Sequence, residues 1–124
     1  LWGGWFIKSP SLSLYHAGDT GYSKDFVRTR ETLGVPDVAF IPIGAYEPRW
    51  FMRTQHVNPA EAVQVALDLK APRSFGMHWG TFILTDEPVE APRRALEKAV
   101  ANSGKAADFF TAPVPGQIIP LVLE

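Results

Sequence analysis

The run Gly18-Asp19-Thr20-Gly21-Tyr22 constrains this chain most, because glycines on both sides of Asp19 let the backbone turn tightly and display the carboxylate. Before it, Ser11 to Ala17 alternates with period two, Leu12, Leu14 and His16 on one face and Ser13, Tyr15 and Ala17 on the other, which is a strand pattern. After it, Ser23 can cap a helix carrying Phe26, Val27, Arg30 and Leu33. Strand, glycine turn, acid and helix is the order in which open α/β sheets build ligand sites at the carboxyl ends of their strands. A turn aspartate that bonds its own backbone accounts for the same residues. The turn alone therefore leaves the function open.

The rest of the chain extends that unit. Leu1 to Lys8 is apolar and aromatic and is separated by Ser9-Pro10 from the next strand, so the two read as a hairpin or adjacent strands. Gly34-Val35-Pro36 stops the helix, and Val38 to Ile41 is the unbroken apolar run of a strand buried on both faces, giving a βαβ unit. Pro42 to Val57 has no clear periodicity and reads as a long ordered loop, a kind of segment that is usually functional. Asn58-Pro59-Ala60-Glu61 is a helix start with cap, proline and capping-box acid, followed by a buried stripe of Ala62, Val63, Ala66, Leu67 and Leu69. Pro72 closes that helix and Ser74 to Met77 forms a brief strand ending at His78. A last helix is expected over Glu87 to Asn102, its face of Arg93, Arg94, Glu97 and Lys98 solvated. Short β segments are expected at Asp108 to Thr111 and Gln117 to Val122.

A chain of 124 residues is one small domain with room for a core. Net charge −1 and pI near 6.3 offer no basic field for a nucleic-acid backbone, which argues against nucleic acid as a partner. With no cysteine, any metal must be held by His, Asp, Glu or backbone oxygen. No apolar stretch of about 18 residues and no charged-then-apolar leader is visible, so the chain reads as soluble with its compartment open. It starts at Leu1 without a polar lead-in, as if inside a domain.

Asp19, His56 and His78 all fall at strand ends or helix starts, where α/β proteins assemble sites. Imidazole and carboxylate are what Zn²⁺ takes when thiolates are absent, and a carboxylate can bridge two ions. His56 precedes the capped helix at Asn58, whose free N–H groups favour an anion such as phosphate, which places it with substrate and not with metal. His16 shares a face with Leu12 and Leu14 and reads as a packed histidine. Trp79 and Phe82 read as core around His78, while Trp50-Phe51-Met52 between Arg49 and Arg53 suits either a lipid headgroup interface or loop packing.

Five blocks, Leu1-Trp2-Gly3-Gly4-Trp5, Gly18 to Tyr22, Pro42 to Met52, Gln55 to Pro59 and His78 to Phe82, occur in the order seen in one family. From residue 1 to about 85 the chain resembles the C-terminal half of the N-acyl-phosphatidylethanolamine-hydrolysing phospholipase D family and its bacterial relatives, zinc-dependent hydrolases of the metallo-β-lactamase superfamily. The resemblance implies an α/β chain that is the C-terminal half of an αβ/βα sandwich, residues 1–124 being a partial domain without the N-terminal half. It implies Asp19 as the catalytic carboxylate bridging two zinc ions, His78 as a terminal zinc ligand, and His56 as a catalytic non-ligand beside the substrate phosphate. The family's H-x-H-x-D-H run and its further ligand histidine are missing, since the only histidines are His16, His56 and His78. The function so implied is that of a fragment of a zinc hydrolase acting on N-acyl phosphatidylethanolamine-like phosphodiester lipids through a metal-bound hydroxide, inactive as this chain alone. The implied partners are the phospholipid, a peripheral membrane contact, and either a second copy or the N-terminal half. The alternatives are a non-catalytic half-domain that pairs with another chain, or a hydrolase of the same fold acting on another substrate such as a lactone.

Overall fold

The computed structural model describes residues 3–122, so Leu1 and Trp2 of the first matching block lie outside the described residues. Strands β1 (Trp5–Lys8) and β2 (Ser13–His16) pair antiparallel as the expected hairpin. Helix α1 (Asp25–Leu33) has Lys24 and not Ser23 at its N-cap position, and the Ser23 hydroxyl accepts the Asp25 amide at 3.2 Å. Strand β3 (Val38–Pro42) lies parallel to β2, completing the expected βαβ unit. The segment read as one long loop contains a single-turn helix α2 (Arg49–Met52).

Helix α3 (Pro59–Leu69) begins as its sequence dictates: Asn58 Oδ1 accepts the Glu61 amide at 2.8 Å and Glu61 Oε1 accepts the Asn58 amide at 3.0 Å. Its buried set includes Val65 beside the expected stripe, because α3 packs against α1, β3 and the following helix together. Strand β4 (Arg73–Met77) pairs parallel to β3. Helix α4 covers Ala91–Asn102 only, since Glu87 is engaged elsewhere, and its face of Arg93, Arg94, Glu97 and Lys98 is exposed as expected. A two-residue edge strand β5 (Phe110–Thr111) ends the sheet, and residues 117–122 form no strand.

The strand order is β1-β2-β3-β4-β5. Four parallel strands laid down in sequence order with right-handed crossovers must carry all their crossover helices on one face. That face holds the core, where Tyr15, Ala17, Phe26, Ala39, Ile41, Ile43, Leu69, Leu96 and Phe110 meet. The pairing register puts Trp5, His16, Phe40, Phe75 and Thr111 in one row across the other face. Along that row the His16 and Phe40 rings stack at 6.4 Å and the Phe40 and Phe75 rings lie 5.8 Å apart. Exposure along it runs from Trp5 at 72% to Phe75, which is buried with the Arg73 guanidinium over its ring. His16 is exposed and not packed, its Nδ1 accepting the Gly18 amide at 3.2 Å.

Candidate active site

Three segments that the fold brings to the carboxyl edge of the sheet carry the candidate residues. After β2 the chain stays paired for one more residue, Ala17 N–H donating to Phe40 O at 3.0 Å, and then turns. Gly18 sits at φ 66°, and a Cβ there would lie 2.7 Å from Gly3 O, while one on Gly21 would lie 2.5 Å from Thr54 O. Both glycines are therefore required for the turn, and Asp19 between them is displayed with its side chain 63% exposed. The turn is anchored to the approach to α3 by Val57 N–H donating to Thr20 O at 2.8 Å.

His78 follows β4 in the left-handed region, at φ 62°. A non-glycine residue held there is strained by about 1–3 kcal/mol, a cost that accumulates at functional sites. Gly44 permits it, since a Cβ at that position would stand 2.2 Å from His78 O. His56 leaves α2 with its amide donating to Met52 O at 2.8 Å, directly ahead of the Asn58 cap.

These segments converge. His78 Nε2 lies 3.6 Å from Asp19 Oδ1, and the His56 and His78 rings are 5.3 Å apart. Burial first, and then the neighbouring His78, lowers the His56 pKa against the opposing pull of Asp19, so His56 is neutral near pH 7. Its Nδ1 is buried without a hydrogen-bond partner among the described residues. Two ligands each about 2.0–2.1 Å from one tetrahedral ion stand roughly 3.4 Å apart, so the Asp19–His78 pair fits a shared cation. Among the described residues no group of three or more His, Asp or Glu is placed to hold a metal, so the pair accounts for part of a ligand shell only. A cavity of about 580 Å³ between α4 and β5 is larger than the cleft beside His78, but none of the three residues lines it.

Two residues of the site escaped the sequence reading. Arg49, read only as a flank of the Trp50-Phe51-Met52 run, donates from Nη1 to Tyr46 O at 3.0 Å and to His56 O at 2.9 Å, and from Nη2 to Glu61 Oε1 at 2.5 Å. Glu87, taken as the start of the last helix, accepts the Tyr46 amide at 2.5 Å, the Glu47 amide at 3.3 Å and the Thr85 hydroxyl. The aromatic expectations divide. Trp79 packs partly buried against the core, but Phe82 is 75% exposed because it continues outward with Ile83 and Leu84. Trp50 and Phe51 are exposed as well, so the described residues do not bury those two.

The family model of the beta-lactamase superfamily domain matches residues 1–79. The chain belongs to the metallo-β-lactamase superfamily. It is 46% identical over 100 residues to N-acyl-phosphatidylethanolamine-hydrolyzing phospholipase D 1 of Caenorhabditis elegans, a match covering 79% of this chain and 28% of the relative. It is 45% identical over 106 residues to the mitochondrial enzyme of the same name from Saccharomyces cerevisiae, covering 84% of this chain and 22% of the relative. The chain thus spans about a quarter of the length of these relatives. Igni18, a metallo hydrolase of Ignicoccus hospitalis, shares the fold with a TM-score of 0.70 at 23% identity over 96% of this chain and 45% of its own. The five-stranded sheet with helices on one face is accordingly one αβ layer of the superfamily's αβ/βα sandwich, as the resemblance implied. None of the described helices is long and apolar enough to cross a membrane.

Proposed function

We propose that this chain carries one side of the active site of a zinc-dependent hydrolase of phosphodiester lipids, with an N-acyl phosphatidylethanolamine-like substrate. The observation that carries the reading is the meeting of Asp19 and His78 at 3.6 Å, from two strand ends 59 positions apart in sequence, with His56 beside them. Asp19 and His78 would hold zinc, which when bound supplies Lewis-acid polarisation of the phosphoryl group and an activated water. The rest of the chain's work concerns the substrate. A neutral, partly buried imidazole at position 56 can exchange a proton with the phosphodiester, whereas the Asn58 and Glu61 amides opening α3, expected to favour an anion, are already taken by the capping box. The exposed rim of Trp50, Phe51, Phe82, Ile83 and Leu84 with Arg53 suits a lipid headgroup interface and a peripheral membrane contact.

The test uses the complete protein that carries this chain. Asp19→Asn should lose bound zinc and hydrolysis of N-acyl phosphatidylethanolamine together, because an amide is no anionic ligand. Full retention of zinc in that variant would overturn the ligand assignment. The small donor set among the described residues also favours a second reading, a non-catalytic half-domain that pairs with another chain. No turnover of phosphodiester or lactone substrates by the zinc-loaded complete protein would select it.

A further inference from the structure

The geometry points to Arg49 as the residue that positions His56, an inference that rests on the substrate-side role proposed for that histidine. The Arg49 side chain is 25% exposed and runs beneath the loop, not out toward lipid. One of its terminal nitrogens bridges Tyr46 O and His56 O, at 3.0 and 2.9 Å, and the other reaches Glu61 Oε1 at 2.5 Å. The same Glu61 oxygen accepts the Asn58 amide at 3.0 Å, and Asn58 in turn accepts the Glu61 amide. One guanidinium therefore joins the strand-exit loop after β3, the carbonyl of His56 and the first turn of α3 into a single charged network. Loops otherwise drift, but His56 is fixed on its C-terminal side by Val57 bonding Thr20 in the Asp19 turn and on its own carbonyl by Arg49. The 5.3 Å approach of the His56 and His78 rings depends on both restraints.

Lysine cannot replace this arrangement. Its ammonium is a point charge without the planar fork that reaches two carbonyls and a carboxylate in fixed directions. Glutamine at position 61 can still accept the Asn58 amide and keep the cap, but it removes the charge that orients the guanidinium. Both changes leave His56 chemically intact and loosen its position, and misplacement of a reacting group by about 1 Å can cost about 100-fold in rate.

The experiment compares wild type, Arg49→Lys, Glu61→Gln, His56→Ala and Arg49→Lys/His56→Ala in the complete protein. Its readouts are zinc content, melting temperature, and kcat and KM on N-acyl phosphatidylethanolamine in mixed micelles. The expected result is a 10- to 100-fold fall in kcat for Arg49→Lys, a smaller fall for Glu61→Gln, and zinc content equal to wild type in both. In the double variant, Arg49→Lys should add nothing to His56→Ala, since a residue that acts through another has no effect once that other is gone. Wild-type kcat in Arg49→Lys, or additive losses in the double variant, overturns the inference while leaving the His56 proposal standing. Should Arg49→Lys not fold, the same cycle with Glu61→Gln decides. Wild-type kcat in His56→Ala overturns the underlying reading of His56 itself.

Discussion

Asp19 and His78 stand 3.6 Å apart, while the ring of His56 approaches His78 at 5.3 Å and keeps its own Nδ1 buried and unbonded. On the proposed function, the carboxylate and the imidazole within reach of one cation form the metal side, and the neutral histidine in a drier position forms the substrate side. His56→Ala in the complete protein is therefore expected to leave zinc content unchanged and to lower kcat by about 100-fold, the low end of the range for losing a positioned proton carrier. Metal analysis beside steady-state kinetics checks it, and parallel loss of zinc would move His56 into the ligand shell. Asp19 and His78 were legible in the sequence because their placement is local, a glycine turn in one case and the end of a short strand in the other. Arg49 was not, since its partners are Glu61, twelve positions away, and two carbonyls whose directions no side-chain pattern encodes.

At the level of elements, the loop after β3 and the loop before α4 are tied by one carboxylate. Burial raises the Glu87 pKa, but hydrogen bonds from the Thr85 hydroxyl and from the Tyr46, Glu87 and Glu47 amides outweigh it and hold the carboxyl below its usual 4.5. Because the folded-state pKa is the lower one, the stability linked to Glu87 is present above pH 4.5 and is lost as pH falls through the folded pKa. Glu87→Gln in the complete protein should therefore flatten the acid limb of the stability curve below pH 4.5. Glu87→Ala should cost about 1–3 kcal/mol near neutrality, from amides left without a charged acceptor. Urea unfolding from pH 3 to 7 reads both, and an acid limb identical to wild type in Glu87→Gln would remove Glu87 as its source. The elements themselves were mostly readable, from the hairpin through the capped α3, because period and caps are sequence-local. The α4 start was misplaced because the contacts of Glu87 lie 40 and 41 positions back. The strand expected over residues 117–122 fails because apolar residues there find no neighbouring strand to bond.

For the molecule as a whole, the row Trp5, His16, Phe40, Phe75, Thr111 decides what the chain can do by itself. The register turns Ile41 into the helix-covered core and leaves Phe40 on the open side. Trp5 is 72% exposed and Ile7 57%, Leu14, Phe40 and Met77 are half-buried on the same face, and Phe75 is buried there. At about 25 cal/mol per Å², leaving even ~400 Å² of apolar surface uncovered forgoes roughly 10 kcal/mol. A small domain has only about 5–15 kcal/mol of net stability in total. The isolated 124-residue chain is therefore expected to associate with itself through this sheet face, or to need the opposing αβ layer supplied in trans, and to bind zinc weakly with Asp19 and His78 as its two ligands. Sedimentation of the purified chain, with a calorimetric zinc titration, tests both halves of that expectation. Replacing Phe40 and Trp5 with serine should shift the chain toward monomer if the row is the contact. A stable, cooperatively unfolding monomer that takes up zinc tightly and stoichiometrically would mean that the open face needs no cover and that this chain holds a complete ligand set.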